Sequence, residues 1–468
     1  MSPPVVSDSG QPHVIVIGGG LAGLATAAAL GSTNCRVTVL EARPFLGGRA
    51  TSYPLNQSQT NSSTDSPTNP RDDNGATIDN CQHILLRCCT NLIDFYRRLG
   101  VDDRIQFHRE FVWIEPGGRT SVMRAGALPP PLHFTESFAR LRFLSLKAKM
   151  DVARGMLAVR SEYRSRKDLD RITMLDWLRE KRQGQQAIER FWRQVLVSAI
   201  NEELDRMAAA HGLQVFSLGF LSRRNSYEMG VPNVPLAELY GEEAWRKYPS
   251  VEICERAPVQ QIVLENGSVQ RVTLREQGLA ADAYVCALPY ERLATIAPTL
   301  PEDAGLDLAS FSHSPITGIH LWFDRAITDL PHATLLDRTI QWMFNKEGGR
   351  HIQLVVSASR SLLEMPKQDV INLALRELQE FFPQVATATL ERAHVVKEVR
   401  ATFSAAPELE AKRPVSVTRI SNLFLAGDWT RSGWPATMEG AVRSGYKAAE
   451  EVTQFFGRPQ RFLLPDIA

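Results

Sequence analysis

The sequence has few cysteines and no pattern among them that would stabilise a fold. No two cysteines have the C-x-x-C spacing, and no regular framework connects them. The six are Cys35, Cys81, Cys88, Cys89, Cys254 and Cys286. A chain of 468 residues buries roughly three-quarters of its unfolded surface, so it needs neither disulfides nor a structural metal. We therefore expect a reducing, cytoplasmic setting and no metal site.

The sequence also lacks an excess of charge and a clear membrane span. Fifty-three Lys and Arg balance 52 Asp and Glu, giving a net charge of +1, so nothing in the overall charge favours a nucleic-acid partner. The longest apolar run, HVIVIGGGLAGLATAAAL at 13–30, is long enough to resemble a span. No basic segment precedes it and glycines cluster at its centre, which favours a strand, a turn and a helix.

The N-terminal segment has the pattern of a dinucleotide site. The β-branched run at 13–17 predicts a buried strand, and Gly18, Gly20 and Gly23 follow it as G-x-G-x-x-G before a helix-forming run. These glycines permit a tight turn, a close approach of the backbone to a pyrophosphate, and close packing of helix on strand. A second strand, CRVTVLEA, ends in Glu41, where a carboxylate would bind ribose hydroxyls.

A second cofactor segment is predicted near the other end of the chain. In NLFLAGDWTRSGWPATMEGAVRSG, at 422–445, a short strand is followed by Asp428, and a helix is predicted from near Thr437. Ligands bind outside the carboxyl ends of parallel strands, so Asp428 could contact a cofactor hydroxyl. The alternative is a helix N-cap with no ligand. Between these segments, 256–274 predicts a hairpin with an Asn-Gly turn, and 281–289 a strand that returns to the sheet.

The residues after Glu41 indicate which cofactor is bound. Gly47, Gly48 and Arg49 resemble the GGR segment of the flavin-containing amine oxidase and isoprenoid desaturase superfamily, and 427–440 resembles its GD…EGA segment. The resemblance implies FAD, and an α/β fold: a doubly wound, Rossmann-like FAD-binding domain with a second, mixed α+β substrate domain, as in amine oxidase-like flavoproteins. The FAD contacts expected from the motif and the resemblance are Gly18, Gly20, Leu21, Ala22, Gly23, Glu41, Ala42, Arg43, Gly48, Arg49, Val259, Gly427, Asp428, Met438 and Gly440.

The stretch TIDNCQHIL at 77–85 carries an unusual set of reactive side chains. Asp79, Cys81 and His83 could form a metal site, a nucleophile with its base, or part of a pocket wall beside the flavin. With the residues that follow it, this stretch resembles the squalene-associated branch of the superfamily, the hydroxysqualene dehydroxylases, except that the branch has glycine at Cys81. A thiol can replace that glycine only if the backbone does not need a positive φ. The polar segment at 56–75 before it predicts a mobile surface loop.

The middle of the chain is predicted to be helical. Phe134, Phe138, Leu141 and Leu144 have helical spacing with basic residues between them, so one amphipathic helix is expected there. Such a helix either packs on its own domain or lies in a membrane interface. The runs at 314–324 and 351–358 predict strands of the substrate domain.

The predicted division of the chain alternates between two domains. The FAD-binding domain comprises 11–100, 250–290 and 416–456, and the substrate domain comprises a helical part at 101–249 and a sheet part at 291–415. No second G-x-G-x-x-G exists, so the chain lacks a nicotinamide domain and its flavin must exchange electrons with an external donor.

The resemblance implies reductive dehydroxylation of hydroxysqualene to squalene for hopanoid or related lipid synthesis. His83 and Tyr227 are the candidate catalytic residues, as proton donors. The expected partners are an isoprenoid lipid, the electron donor and a peripheral contact with the inner face of the membrane. Three alternatives remain: a carotenoid-type desaturase, an amine oxidase with a cage of Trp429 and Trp434, and an isoprenoid-binding escort that has lost its flavin.

Overall fold

The computed structural model describes residues 10–55, 77–275 and 277–467. The strands in this part of the chain are β1 (His13–Ile17), β2 (Arg36–Leu40), β3 (Ser52–Pro54), β4 (Thr77–Asp79), β5 (Leu85–Leu86), β6 (Ile105–His108), β7 (Phe111–Ile114), β8 (Thr120–Met123), β9 (Met229–Pro232), β10 (Val251–Cys254), β11 (Gln261–Glu265), β12 (Ser268–Leu274), β13 (Gln277–Leu279), β14 (Ala283–Cys286), β15 (His313–Phe323), β16 (His332–Leu335), β17 (Trp342–Asn345), β18 (His351–Ser357), β19 (Leu390–Phe403) and β20 (Leu423–Leu425).

The helices are α1 (Leu21–Gly31), α2 (Thr90–Leu99), α3 (Thr135–Ala139), α4 (Leu146–Glu162), α5 (Met174–Glu180), α6 (Gln185–Ala187), α7 (Arg193–Ile200), α8 (Ala209–Gln214), α9 (Glu242–Trp245), α10 (Tyr290–Ile296), α11 (Leu300–Asp303), α12 (Lys367–Phe381), α13 (Leu409–Lys412) and α14 (Met438–Phe455). Two π-helical segments, Ile188–Trp192 and Val215–Leu221, continue α6 and α8. Such segments are rare and occur frequently at functional sites.

A five-stranded parallel sheet brings distant parts of the chain together. Its order is β10-β2-β1-β14-β20, so strands from near residues 13, 36, 251, 283 and 423 share one sheet. Val14 and Val16 pack on one face in the cluster that contains α1 and α14 residues. Ile15 and Ile17 pack on the other face, in the cluster that includes Ile262 of the β11–β12 hairpin. The predicted Rossmann-like parallel sheet is confirmed, but it is not doubly wound, because helices cover one face and the β11–β12 hairpin covers the other. The domain boundaries stay a prediction.

A seven-stranded mixed sheet forms the core of the second region. Its order is β19-β15-β18-β17-β16-β7-β8, and its two faces carry different side chains. Apolar residues such as Ile319 and Leu354 face a cluster shared with α12. Alternate residues of the same strands, including Trp113 and Trp342, belong to a separate cluster. This alternation is the period of two expected of strands covered on both faces.

Several predicted elements are observed. The strands predicted at 314–324 and 351–358 are β15 and β18, which pair antiparallel. The hairpin predicted at 256–274 is β11 and β12, and Asn266 and Gly267 at its turn both have positive φ, as a two-residue hairpin turn of this type requires. The strand predicted to return to the sheet is β14. The loop predicted at 56–75 lies outside the described residues.

The prediction of one amphipathic helix through 134–150 is wrong. The chain forms α3 and then α4, with a break at 140–145 where Ser145 caps α4 by accepting the Ala148 N–H. Leu141 and Leu144 are buried, 0% and 4% exposed, so they serve the core and not an outer face. Nor is 101–249 purely helical, because β6 to β9 lie within it and β7 and β8 complete the seven-stranded sheet.

Candidate functional site

The turn between β1 and α1 has the geometry of a dinucleotide cradle. Gly18 has φ +107°, a conformation that favours glycine, and a Cβ at Gly23 would lie 2.0 Å from the Gly18 carbonyl oxygen. A Cβ at Gly20 would make only one ordinary contact, with Gly48 Cα at 3.9 Å, so the backbone here is not crowded by other parts of the protein. Gly20 is the N-cap of α1 and makes no side-chain cap, so the first N–H groups of α1, from Leu21 and Ala22, are available to an anion there.

Glu41 lies at the carboxyl end of β2, as predicted. Its Oε2 accepts the Gly19 N–H at 2.7 Å and its Oε1 accepts the Arg43 N–H at 2.8 Å. The Ala257 N–H donates to the Glu41 carbonyl oxygen, so the segment that carries Val259 runs beside 41–43. These contacts hold a buried carboxylate next to the cradle, at the side where the ribose of a dinucleotide binds.

An ion pair joins the two predicted cofactor segments. The Arg49 guanidinium donates to Asp428 Oδ1 at 2.7 Å and to the Ala401 carbonyl oxygen at 2.8 Å. Asp428 lies three residues beyond the end of β20 and is 8% exposed. The structure therefore brings Arg49 and Asp428, which are 379 residues apart, to the same point.

The first turn of α14 follows on the same side. Thr437 caps this helix by accepting the Gly440 N–H at 3.0 Å, so that amide is already engaged. Glu439 is buried and accepts the Leu92 N–H at 2.7 Å, which fixes the turn against α2. Gly427 donates its N–H to Ser444 Oγ at 2.8 Å. Met438 lines a cavity that begins here.

This cavity extends from α14 to the seven-stranded sheet. Its empty volume is about 1070 Å³, including the part open to solvent, and its lining is mainly apolar and aromatic. The lining residues are Ile84, Leu85, Leu86, Cys88, Cys89, Leu92, Phe111, Trp113, Gln194, Val195, Ser198, Ala199, Gln214, Val215, Leu218, Phe220, Thr334, Trp342, Trp434, Pro435, Thr437, Met438 and Glu439. The π-helical segment Val215–Leu221 forms one wall, and α7, which follows the other π-helical segment, contributes Gln194, Val195, Ser198 and Ala199.

Three of these lining side chains carry a polar atom with no hydrogen-bond partner in the described part of the chain. They are Trp113 Nε1, Gln194 Oε1 and Thr334 Oγ1, and their residues are 2%, 7% and 1% exposed. Trp113 and Thr334 are direct neighbours across β7 and β16. Buried polar groups are nearly always paired, so these three orphaned atoms are polar points in the otherwise apolar surroundings of the cavity. Sequence reasoning missed these residues, because nothing local marks a buried tryptophan, glutamine or threonine as part of a pocket.

The three side chains of TIDNCQHIL do not converge on a metal or a nucleophile. Asp79 Oδ1 accepts from Ser52 Oγ at 2.6 Å and from the Leu236 N–H, and its Oδ2 lies 3.5 Å from Lys346 Nζ. Burial, with Glu398 and Asp79 nearby, raises the pKa of Cys81 to about 12, so its thiol stays protonated at neutral pH. Within the described ranges, no cluster of three or more His, Cys, Asp or Glu side chains could hold a metal ion.

The two candidate proton donors differ in what their polar atoms do. His83 Nδ1 donates to the Cys81 carbonyl oxygen at 2.9 Å, since a carbonyl can only accept, and burial lowers its pKa, so the ring is neutral at pH 7 with a lone pair on Nε2. Tyr227 donates its hydroxyl proton to the Arg109 carbonyl oxygen and accepts the Ala125 N–H, and burial raises its pKa. Neither is among the described residues that line the cavity, and the geometry disfavours Tyr227 as an acid.

The predicted aromatic cage does not match the surroundings of its two residues. Trp429 donates to the Leu288 carbonyl oxygen and packs on Phe311, whereas Trp434 donates to Asp466 and lies in another cluster. Only Trp434 lines the cavity. We therefore do not retain a paired cage for an amine substrate.

Together these residues fit FAD. The cradle at Gly20 suits a pyrophosphate, and Glu41 and Asp428 lie where hydroxyl-bearing parts of the cofactor would bind. The first turn of α14 lies beside them, and Thr437, Met438 and Glu439 line the adjoining cavity. No described helix is long and apolar enough to cross a membrane.

Comparison with known proteins identifies the family of the chain. The model of the family described as flavin containing amine oxidoreductase matches residues 21–453. A 15-cis-phytoene desaturase from an Oncidium hybrid cultivar is 26% identical over 488 residues, which cover 95% of this chain and 78% of the desaturase. The hydroxysqualene dehydroxylase of Zymomonas mobilis is 26% identical over 443 residues, covering 93% of this chain and 97% of that protein.

A solved structure shows the same fold. An oxidoreductase from Methanosarcina mazei superposes with a TM-score of 0.67 at 17% identity, covering 92% of this chain and 98% of that one. At this identity the likeness concerns the fold alone. The two curated relatives above are equally distant in identity but have different reactions in their names, so they do not separate a desaturase from a dehydroxylase.

Proposed function

The chain belongs to the flavin-containing amine oxidoreductases and its cofactor is FAD, and on that premise we propose that it reductively removes the hydroxyl group of hydroxysqualene to give squalene. The wider class, an FAD-dependent oxidoreductase, follows from the family. The narrower substrate is our inference, and the observation that carries it is the set of orphaned polar atoms in an apolar cavity.

A long isoprenoid alcohol matches this cavity in two respects. Its hydrocarbon chain suits the apolar wall. Its hydroxyl group could accept a hydrogen bond from Trp113 Nε1 and donate one to Gln194 Oε1 or Thr334 Oγ1. A hydrocarbon such as phytoene offers none of these atoms a partner, and a buried polar group left unpaired costs about 1 to 3 kcal/mol. The orphaned atoms therefore favour the alcohol over the desaturase substrate.

In the proposed reaction, the main roles of the protein are to bind the substrate and to orient it toward the flavin. When bound and reduced, the flavin supplies the hydride, and the overall reaction converts alcohol and FADH2 into hydrocarbon, water and FAD. The carbinol is allylic, so loss of water leaves a delocalised cation. The aromatic wall, in which Phe111 lies 5.9 Å from Trp113 and 6.4 Å from Trp342 between ring centroids, would stabilise that charge. The apolar lining would exclude water, which would return the cation to alcohol.

The proposal includes partners that the chain does not contain. The flavin would be reduced by an external electron donor, because the sequence has no second dinucleotide motif. The substrate would come from a membrane, so we include a cytoplasmic location with peripheral contact at the inner face. His83 stays the candidate proton donor from the sequence alone, since its Nδ1–H is donated to the Cys81 carbonyl oxygen and it does not line the cavity.

A single anaerobic turnover tests the reaction. FAD on the enzyme is reduced photochemically in D2O, which places deuterium at N5, and hydroxysqualene is added. We expect squalene with one deuterium at the former carbinol carbon. Squalene without deuterium would refute hydride transfer from the flavin, and oxidised enzyme that adds a double bond to phytoene would make the chain a desaturase.

A matched pair of variants tests the orphaned atoms in the same assay. Thr334→Val and Trp113→Phe remove one polar group each and keep most of the shape. We expect kcat/KM for hydroxysqualene to fall about 5- to 30-fold, the effect of one hydrogen bond worth about 1 to 2 kcal/mol. Val195→Thr, in the same wall, serves as the control for altered packing. Unchanged kcat/KM in both variants would remove the hydroxyl argument.

A further inference from the structure

The outer side of α4 carries an apolar stripe that no other described part of the chain covers. Leu146, Met150 and Leu157 are 74%, 56% and 69% exposed, and Ala153 between them is exposed too. Spacings of four and seven residues put these side chains on one side of a helix. Large apolar side chains exposed in a row mark an interaction surface more often than isolated ones do.

The inner side of the same helix is fixed by packing. Ala148, Val152 and Val159 are 3% exposed or less. A Cβ at Gly155 would lie 2.5 Å from Trp192 Cζ2, so this side of α4 lies directly against the core. The helix therefore cannot rotate to bury its outer stripe, and the exposure belongs to the folded protein.

Basic residues flank the stripe. The segment 140–167 contains nine Lys or Arg and two acidic residues, a net charge of +7, in a chain whose total is +1. Three of these bases are ion-paired within the protein: Arg140 with Glu136, Arg154 with Asp151, and Arg166 with Glu162, Asp168 and Glu180. Lys147 and Arg160 are exposed beside the stripe. Leu128 and Leu132, in the segment before α3, are also 47% and 57% exposed.

We propose that this outer face of α4, comprising Leu146, Met150, Ala153 and Leu157 with the flanking bases, seats the protein on an anionic lipid bilayer. An apolar stripe between basic flanks is the arrangement of a helix that lies in the interface with its apolar face down. Cations beside the stripe complement anionic headgroups, each contributing about 1 kcal/mol near the surface. The 17 residues of α4 do not form a membrane span, so the helix lies on the bilayer.

The location of this face relates it to the cavity. The inner side of α4 packs against the π-helical segment Val215–Leu221, whose residues Val215, Leu218 and Phe220 line the cavity. A bilayer bound at α4 thus lies one helix layer from the cavity wall. The docking surface itself stands on exposure and charge alone. Only its purpose, access to a membrane-held isoprenoid, rests on the proposed function.

Vesicle sedimentation of the full chain with FAD tests the surface. We expect binding to vesicles of phosphatidylcholine with about one-third phosphatidylglycerol, weak binding to phosphatidylcholine alone, and loss of the difference in about 0.5 M salt. The triple variant Leu146→Gln, Met150→Gln and Leu157→Gln should bind at least about tenfold more weakly. Lys147→Gln with Arg160→Gln should lower the preference for anionic vesicles.

A matched control uses exposed apolar residues elsewhere. Val399, Val415 and Val417 are 53%, 52% and 49% exposed, and their triple Gln variant should bind as the unchanged protein does. Failure of the unchanged protein to bind anionic vesicles would overturn the proposal, as would equal losses in both triple variants. A dimer that the α4 variant dissociates, without vesicle binding, would assign the face to a second copy instead.

The readout separates this proposal from the proposed reaction. Vesicle binding is measured without substrate, so its result does not depend on the outcome of the deuterium experiment. With hydroxysqualene in detergent, the α4 triple variant should keep its kcat, whereas with substrate in vesicles its rate should fall about tenfold. Equal rates for the variant and the unchanged protein on vesicle-borne substrate would contradict a role in access.

Discussion

Cys81 lies in a small space between two parts of the fold. It is 5% exposed, and a Cβ at Gly318 of β15 would lie 3.4 Å from its Sγ. It is not among the residues with positive φ, so its backbone does not require glycine. A thiol can therefore occupy this position, because the backbone does not need a positive φ. With a pKa raised to about 12, the side chain fills space and offers no thiolate.

Replacement of this thiol should therefore be tolerated. We expect Cys81→Gly to keep kcat/KM within about threefold and to lower stability by about 1 kcal/mol, from added backbone freedom. Steady-state kinetics and thermal unfolding measure both effects. Cys35→Ala, at a buried thiol beside β2, provides the control. A loss of about a thousandfold in kcat/KM would instead assign Cys81 a chemical role.

Residues in local motifs could be predicted, and residues assembled by the fold could not. Gly18, Gly23 and Glu41 were found because strand, turn and helix are contiguous, and the structure gives them the expected geometry. Trp113, Gln194 and Thr334 come from three separate elements, and only tertiary packing brings them to one cavity. No spacing in the sequence carries that information.

At the scale of elements, the loop between β20 and α14 is held by one buried side chain. Arg413 is 1% exposed, and its guanidinium donates to the carbonyl oxygens of Asp428 and Trp434, both at 2.8 Å. It also donates to the Thr430 carbonyl and lies 2.5 Å from Glu410 Oε2. A planar guanidinium with five N–H groups suits such a set of acceptors. Asp428 thus owes its orientation in part to Arg413.

Arg413→Lys should loosen this loop while keeping the charge. An ammonium has three donors, so at least one of these four acceptors loses its partner, at a cost of about 1 to 3 kcal/mol. We expect a lower Tm and FAD affinity weakened at least about tenfold. Fluorescence titration of apoprotein with FAD measures the affinity. Arg431→Lys, on the same loop but exposed, is the control. Unchanged FAD affinity in Arg413→Lys would contradict the role of Arg413 in holding the loop.

The sequence predicted strands and helices correctly where the spacing of apolar residues fits one type of element. The pattern of β15 and β18 fits only buried strands, and both were found. Around residue 140 the apolar residues keep helical spacing although the chain is not helical between α3 and α4. Leu141 and Leu144 lie in this irregular segment and pack into the core. Spacing alone cannot separate a continuous helix from two helices joined by a buried turn.

Across the whole molecule, the pair of Arg49 and Asp428 connects the two ends of the cofactor site. We expect Asp428→Ala to release FAD during gel filtration, because it removes a predicted cofactor contact and leaves Arg49 without its carboxylate. The ratio of flavin to protein absorbance measures retention. Asp324→Ala, at an exposed ion pair on the other sheet, should retain FAD fully. A full flavin spectrum in Asp428→Ala would refute its assignment as a cofactor contact.

The order of strands in the parallel sheet also determines how late in synthesis the sheet can be completed. One edge of β1 pairs with β14, which is synthesised about 270 residues later. The sheet is complete only when β20 has been synthesised. At about 5 to 20 residues per second, the interval between β1 and β20 is roughly 20 to 80 s of synthesis. During that time the nascent chain exposes an unpaired strand edge, a target for chaperones. A complete FAD site can form only after β20 and α14 have been synthesised.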